Sequence, residues 1–298
     1  MEQKINIPKL NHTILEKIYF NKTLTNDELN NILSLPLESL IEDLRTTIHF
    51  CNSLFGSEVD FDEISYNLLL YALFILKEIE AKNQLDIVFD IIHWEDEKMD
   101  FWFGDTVCKY LWNIVYFFAY DDIHQLVALL KTEKEIDTFN KEEIALAIYQ
   151  LYLKNEDKRT LISNYWTELL EFYANLDEDS NIIDHTYFAF FINYIANPNE
   201  QQKVLIKKLY DNNYIDYMVY GKYEDFLKVT EEERELVSVY KLNEDLIAFE
   251  NRNSTENNFF YNNDDYFTKQ EPFVRETKKI GRNELCPCGS GKNIKNVV

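Results

Sequence analysis

Residues 161–173 read Leu161-Ile162-Ser163-Asn164-Tyr165-Trp166-Thr167-Glu168-Leu169-Leu170-Glu171-Phe172-Tyr173. Leu161, Tyr165, Leu169 and Tyr173 step by four, and Ile162, Trp166 and Leu170 widen them into one broad apolar stripe. Such spacing places the stripe on one side of an α-helix and leaves Asn164, Thr167 and Glu168 on the other. Ile144, Ile148 and Leu151 repeat the pattern, as do Leu126, Leu129 and Leu130. Alternating runs of strand length are missing, so the expected fold class is all-α.

Helix-start signals add a period. Candidate N-caps at Asp62, Asp105, Asn140 and Asp184 are spaced 43, 35 and 44 residues apart. A second series at Asn83, Asp121, Asp157 and Asn197 is spaced 38, 36 and 40. In Asn197-Pro198-Asn199-Glu200 the reading is a cap, a proline at the first helical position and a carboxylate three residues past the cap. Asn140 with Glu143 repeats the cap-plus-acid logic. Two interleaved series near forty residues predict stacked helical hairpins, a HEAT/armadillo-like solenoid. Thr25 to Glu28 reads as a capping box, Pro36 opens a helix running to Leu54, and a further helix is expected from Glu231 to Phe249.

Composition supports this class. Six glycines and five prolines in 298 residues, against roughly 12% in average sequences, exclude turn-rich all-β architectures and Gly/Pro-rich disorder. The expected domains are a helical-repeat domain over 1–250, a linker over 251–278 rich in Asn and acidic residues, and a small tail over 279–298. Phe259, Phe260, Tyr261, Tyr266, Phe267 and Phe273 give that linker more aromatics than a purely solvated tether needs.

The formal charge of −23 is unevenly spread. From residue 278 onward five cations (Lys278, Lys279, Arg282, Lys292, Lys295) face only Glu284, so the tail carries +4 and residues 1–277 carry −27. So acidic a body repels a phosphate backbone and an anionic membrane face, so neither nucleic acid binding by the body nor membrane insertion is expected. Its acidity reads as a solvated surface or as a docking face for a basic partner. Residues 1–10 lack a cationic start followed by an apolar stretch, so no signal peptide is expected. The longest apolar run, Leu68 to Leu76, is about half of what a bilayer demands. A cytoplasmic location follows. Four cysteines do not make a disulfide framework, and Cys51 and Cys108 read as inert core residues.

The sharpest motif is Gly281-Arg282-Asn283-Glu284-Leu285-Cys286-Pro287-Cys288-Gly289-Ser290-Gly291-Lys292. Thiolates at Cys286 and Cys288 can share one tetrahedral metal, and Gly289 and Gly291 let the backbone fold tightly round it. This stretch resembles the SEC-C motif, the small zinc-binding tail known from the bacterial preprotein translocase ATPase and appended to many other bacterial proteins. The resemblance implies zinc as cofactor and a docking role for the tail, with Arg282, Asn283, Gly289, Ser290, Gly291 and Lys292 as partner-binding residues. It also implies a protein partner, such as an acidic chaperone or a ribosome-associated or export factor. The family completes its site with Cys-Cys or Cys-His nine and ten residues past the second cysteine. Val297 and Val298 stand there, and valine cannot ligate, so two of four ligands are present. Three readings stay open: a degenerate site that keeps its recognition surface, two tails pairing to give four thiolates, or a histidine of the body completing the shell.

The body read with the tail resembles a bacterial family of all-helical, HEAT-like proteins of similar size that often end in this motif. The likeness rests on Tyr71-Ala72-Leu73-Phe74-Ile75-Leu76 and on Phe103-Gly104-Asp105 opening the next unit. It implies fold and context and supplies no chemistry.

Spacing also offers catalytic alternatives. Asp86, Asp90, His93 and Glu97 step by four, three and four, so one helical face could hold them all as a metal or acid–base face, with Trp94 and Trp102 walling a pocket beside it. The bland counterpart is a solvated face on a chain with 53 carboxylates. Asp184-His185 and Asp121-Asp122-Ile123-His124 read as cap turns. Gly289-Ser290-Gly291-Lys292 mimics the end of a phosphate loop without its first glycine or a preceding strand. The leading expectation is a non-enzymatic interaction adaptor. The alternatives are a metal-dependent enzyme using the acidic/His face and a metal-handling protein using Cys286 and Cys288.

Overall fold

The computed structural model describes residues 6–20, 24–55, 64–132 and 136–229. The expected helix from Glu231 to Phe249, the 251–278 linker and the 279–298 tail lie outside the described residues, as does the candidate cap Asp62. Every regular element among the described residues is helical, as the apolar periodicity predicts. Two short helices, α1 (Glu16–Tyr19) and α2 (Asn26–Leu33), precede the long α3 (Leu37–Leu54) and α4 (Leu68–Glu78). Then come α5 (Leu85–Ile92), α6 (Asp96–Phe103), α7 (Val107–Phe118), α8 (Ile123–Thr132), α9 (Thr138–Lys154) and α10 (Arg159–Ala174). The described chain closes with α11 (His185–Asn193), α12 (Glu200–Asp211), α13 (Tyr217–Tyr220) and α14 (Tyr223–Val229).

From α7 onward, helices pack mainly on the next but one in sequence, whereas α3 packs on α4. In one row α7 meets α9 and α9 meets α11; in the other α8 meets α10 and α10 meets α12. Side-chain bonds fix the direction. Early α7 meets early α9 where Trp112 N–H donates to Glu143 (3.2 Å), and the residues just past the two helices meet where Tyr120 Oη donates to Asn155 (2.9 Å). In the second row the start of α12 meets α10 where Gln202 Nε2 donates to Ser163 O (2.9 Å), and their ends meet where Lys208 donates to Asn175 (2.8 Å). Neighbours within a row therefore run parallel. Partners lie 31 residues apart at Trp112–Glu143 and 46 apart at Thr138–Asp184, which brackets the forty-residue period of the sequence.

One continuous core joins these helices. The stripe of α10 behaves as its spacing predicts: Ile162, Trp166, Leu169, Leu170 and Tyr173 are buried, while Leu161 is exposed at the helix start. Helix α4 is apolar on every side from Leu68 to Leu76 and buried from Leu68 through Lys77, as a helix apolar all round must be. No helix among the described residues is long and apolar enough to cross a membrane.

Several helix starts match their sequence signals and others move. Thr25 and Glu28 form the expected capping box, Pro36 sits at the N-cap of α3, and the Asp184 carboxylate caps α11 through Tyr187 N–H (2.9 Å). Asn140 is inside α9, whose cap is Asp137; its amide donates instead to Ile92 O (3.1 Å). Asn197 has a φ of +48° and serves the turn, whereas Asn199 caps α12 in a box with Gln202, so Pro198 precedes the helix. Asp105 and Asp157 fall within 3-10 turns, α5 opens after Gln84 rather than Asn83, and α8 begins at Ile123 rather than directly after Asp121.

Candidate functional site

Parallel stacking in the α7–α9–α11 row returns successive helix starts to one edge. There α6, α9 and α11 open, with Glu95, Asp137 and Asp184 as their N-cap residues. Around these starts lies a cleft of about 860 Å3. Its lining comes from three connections, 93–97, 136–141 and 181–186, and includes His93, Trp94, Glu97, Lys141 and His185.

The cleft is cross-braced. Asp184 Oδ1 takes the Tyr187 N–H, while Oδ2 accepts from Thr138 Oγ1 (2.8 Å) and Lys141 Nζ (3.3 Å). The Lys141 side chain is 8% exposed and its Nζ lies 5.8 Å from the Tyr187 ring centre. The buried Asn140 amide ties the first turn of α9 to the end of α5. Asp137 accepts from Phe139 N–H (2.7 Å), and its negative charge pushes the Asp96 carboxyl above the usual range, with partial burial adding to the shift. Carboxylates thus outnumber cations, and the lysine present is already paired. A cationic group entering beside Asp96 and Asp137 would relieve their repulsion, and the indole of Trp94 offers an apolar wall.

The expected acidic/His face is not held together. Asp86 and Asp90 lie on α5, His93 is its C-cap with Nδ1 hydrogen-bonded to Phe89 O (2.6 Å), and Glu97 belongs to the first turn of α6. The helix ends between them, so the spacing of four, three and four does not trace one surface. Asp86 is paired with Arg45 through Oδ2–Nη2 (2.7 Å) and Oδ1–Nη1 (3.1 Å), which holds its carboxyl below the usual range. No group of three or more His, Cys, Asp or Glu among the described residues is arranged to hold a metal ion. His93 and Glu97 instead line the cleft, together with Asp137, Lys141 and Asp184, which carried no joint signal in the sequence. Asp184 is a cap residue as read, and Asp122 with His124 makes only an exposed contact at 4.0 Å. Cys51 is buried in α3, but Cys108 is exposed, contrary to its reading as a core residue.

Cys286, Cys288, Arg282, Asn283, Gly289, Ser290, Gly291 and Lys292 lie outside the described residues. Their assignment rests on sequence comparison. Residues 282–293 match the SEC-C motif. The chain is also similar to the protein translocase subunit SecA of Clostridium acetobutylicum, 69% identical over 29 residues, which are 10% of this chain and 4% of that protein. For SecA of Nitrosomonas europaea the identity is 67% over 27 residues, 9% of this chain and 3% of that protein. For SecA of Cellvibrio japonicus it is 64% over 28 residues, with the same shares. The chain thus spans only a few per cent of the length of these relatives. No solved structure matches it. The class these findings define is a protein whose described residues are all-helical and whose residues 282–293 match the SEC-C motif.

Two thiolates and two valines at the family's ligand positions fall short of the four ligands that a structural zinc site needs. The tail alone does not fit a closed zinc site.

Proposed function

We propose that this chain is a non-enzymatic, cytoplasmic protein–protein adaptor. Its body is a stack of HEAT-like helical hairpins, and its tail docks to a second protein of the translation, chaperone or export machinery. The observation that carries this reading is the SEC-C motif at residues 282–293, with short stretches of high identity to SecA. A tail of charge +4 suits an acidic partner. The carboxylate-rich cleft at the starts of α6, α9 and α11 supports a second role for the body, that of receiving a cationic segment of another protein. Activity in this account is tethering without bond chemistry. The metal-dependent enzyme is not favoured, because Asp86, Asp90, His93 and Glu97 divide between two helices.

The test compares the full-length protein with a version ending at Lys279 as baits in a bacterial lysate, with metal content measured on both. Recovery of a ribosomal, chaperone or export component by the full chain alone is the expected result. Equal recovery by both versions, or by neither, overturns the docking role of the tail. A metal load of one per chain that disappears with Cys286→Ser would replace the adaptor by the metal-handling reading.

A further inference from the structure

Helices α7 and α9 form the most extensive helix pair of the described body, and a carboxyl group lies inside their seam. Glu143 is 3% exposed. Its Oε2 accepts the backbone N–H of Trp112 in α7 at 3.2 Å, and the Cys108 thiol of α7 is a further polar neighbour. The other groups near it are carboxylic or phenolic: Glu142 beside it on α9, and Tyr194 past the end of α11, whose hydroxyl donates to Glu142 (3.0 Å). Among the described residues no lysine, arginine or histidine makes an ion pair with Glu143. A carboxylate sealed between two helices with one amide donor and no cation is far costlier than the neutral acid.

We propose that Glu143 is a protonation latch of the α7–α9 seam, closed while the side chain carries its proton and loosened when the proton leaves. Burial is the leading cause that pushes the Glu143 carboxyl up to about 8, and the Glu142 charge adds to it, against the Trp112 N–H and the Cys108 contact. The sign follows from linkage. The folded state holds a proton that the unfolded chain releases above its ordinary carboxyl value of about 4.3. The contribution is therefore complete below that value and is lost as the pH rises through about 8. The latch is most sensitive across neutral pH, where a cell works, and it acts on the row of helices that builds the cleft. It does not depend on the adaptor reading.

The experiment is urea unfolding of the full chain at a series of pH values, for the native protein, Glu143→Gln and Glu142→Gln. In the native protein the folding equilibrium constant falls by up to tenfold per pH unit across the window from about 4.3 to about 8, roughly five-thousandfold in all. Glu143→Gln keeps a carbonyl for the Trp112 N–H and loses this slope, whereas Glu142→Gln retains most of it. Equal slopes in the native protein and Glu143→Gln overturn the proposal. An infrared measurement keeps the test decisive even where the variant fails to fold. The native protein should show the carbonyl band of a protonated carboxylic acid at about pH 7, titrating near 8, and its absence overturns the latch.

Discussion

Replacing Asp184 by alanine removes three interactions at once, and their sizes can be worked out separately. Its Oδ1 caps α11 through Tyr187 N–H, and loss of such a cap costs about 1 kcal/mol. Its Oδ2 compensates Lys141 at 3.3 Å, in a pair whose side chains are only 8% and 17% exposed. Breaking a buried pair from one side costs about 3–5 kcal/mol, because the remaining charge is left in a poor solvent. The Thr138 hydroxyl loses its acceptor too. These terms share one carboxylate and do not add in full, so Asp184→Ala should destabilise the protein by about 3–5 kcal/mol. Domains of this kind are stable by about 5–15 kcal/mol, so the loss is a large share. Urea unfolding read by tryptophan fluorescence reports it directly. A double-mutant cycle with Lys141→Met then isolates the charge term. Removing the lysine as well should recover roughly 2 kcal/mol or more of the loss, since an uncharged side chain needs no partner. A cost under about 1 kcal/mol for Asp184→Ala, or strict additivity in the cycle, would refute the claim that the brace is a buried ion pair.

Other outcomes are specific to single contacts. Thr25→Ala should cost about 1 kcal/mol in thermal or urea unfolding, because it breaks a reciprocal box in which Glu28 N–H donates to Thr25 Oγ1 (3.2 Å) and Thr25 N–H donates to Glu28 Oε2 (2.9 Å). Tyr173→Phe leaves the buried Leu130 carbonyl without its 2.9 Å donor and should cost about 1–3 kcal/mol in the same assay. Gly221→Ala forces an alanine to a φ of +79° with its Cβ 3.1 Å from Asp225 Oδ2, a loss of about 1–2 kcal/mol in unfolding free energy. Asp137→Asn keeps a cap for Phe139 N–H but withdraws the charge facing Asp96. The Asp96 carboxyl should then titrate at lower pH, as followed by carboxyl carbon chemical shifts.

The helical class was legible because periodicity reports burial directly: the stripe from Ile162 to Tyr173 is in the core. Caps are legible where their contacts are local and are lost where a distant partner or a turn intervenes. Asp184 and Thr25 act as caps through contacts within three residues of themselves, which a sequence carries. Asn140 was drawn away from capping by a carbonyl 48 residues distant, and Asn197 by a left-handed turn that its short amide side chain tolerates. The cleft was illegible for a non-local reason. Its three lining segments are about 45 residues apart in the chain, and only parallel stacking brings them to one edge. Spacing along one helix suggested Asp86, Asp90, His93 and Glu97 as a set, yet that reasoning fails wherever a helix ends, as α5 does at Ile92.

Net charge alone overstates how much of the acidity faces a partner. Asp43 is 2% exposed and accepts the backbone N–H groups of Asn11 and His12 at 2.7 and 2.9 Å, so it anchors the start of the chain to α3. Asp184 is committed to a helix start and a lysine, and Glu143 to a seam. Asp86 is forked on Arg45. Each of these carboxyl groups is accounted for by the fold, and none is free to attract a basic protein at close range. Asp96 differs: its nearest strong influence is another carboxylate, so its neighbourhood is improved rather than disturbed by an incoming cation. A partner drawn in by the field of the whole body would feel all the carboxylates and would be screened within about 10 Å at 0.1 M salt. A cation seated beside Asp96 and Asp137 is within contact range and far less screened. On the proposed reading, a basic segment is expected to seat beside Asp96 and Asp137, where its charge relieves the repulsion between two carboxylates.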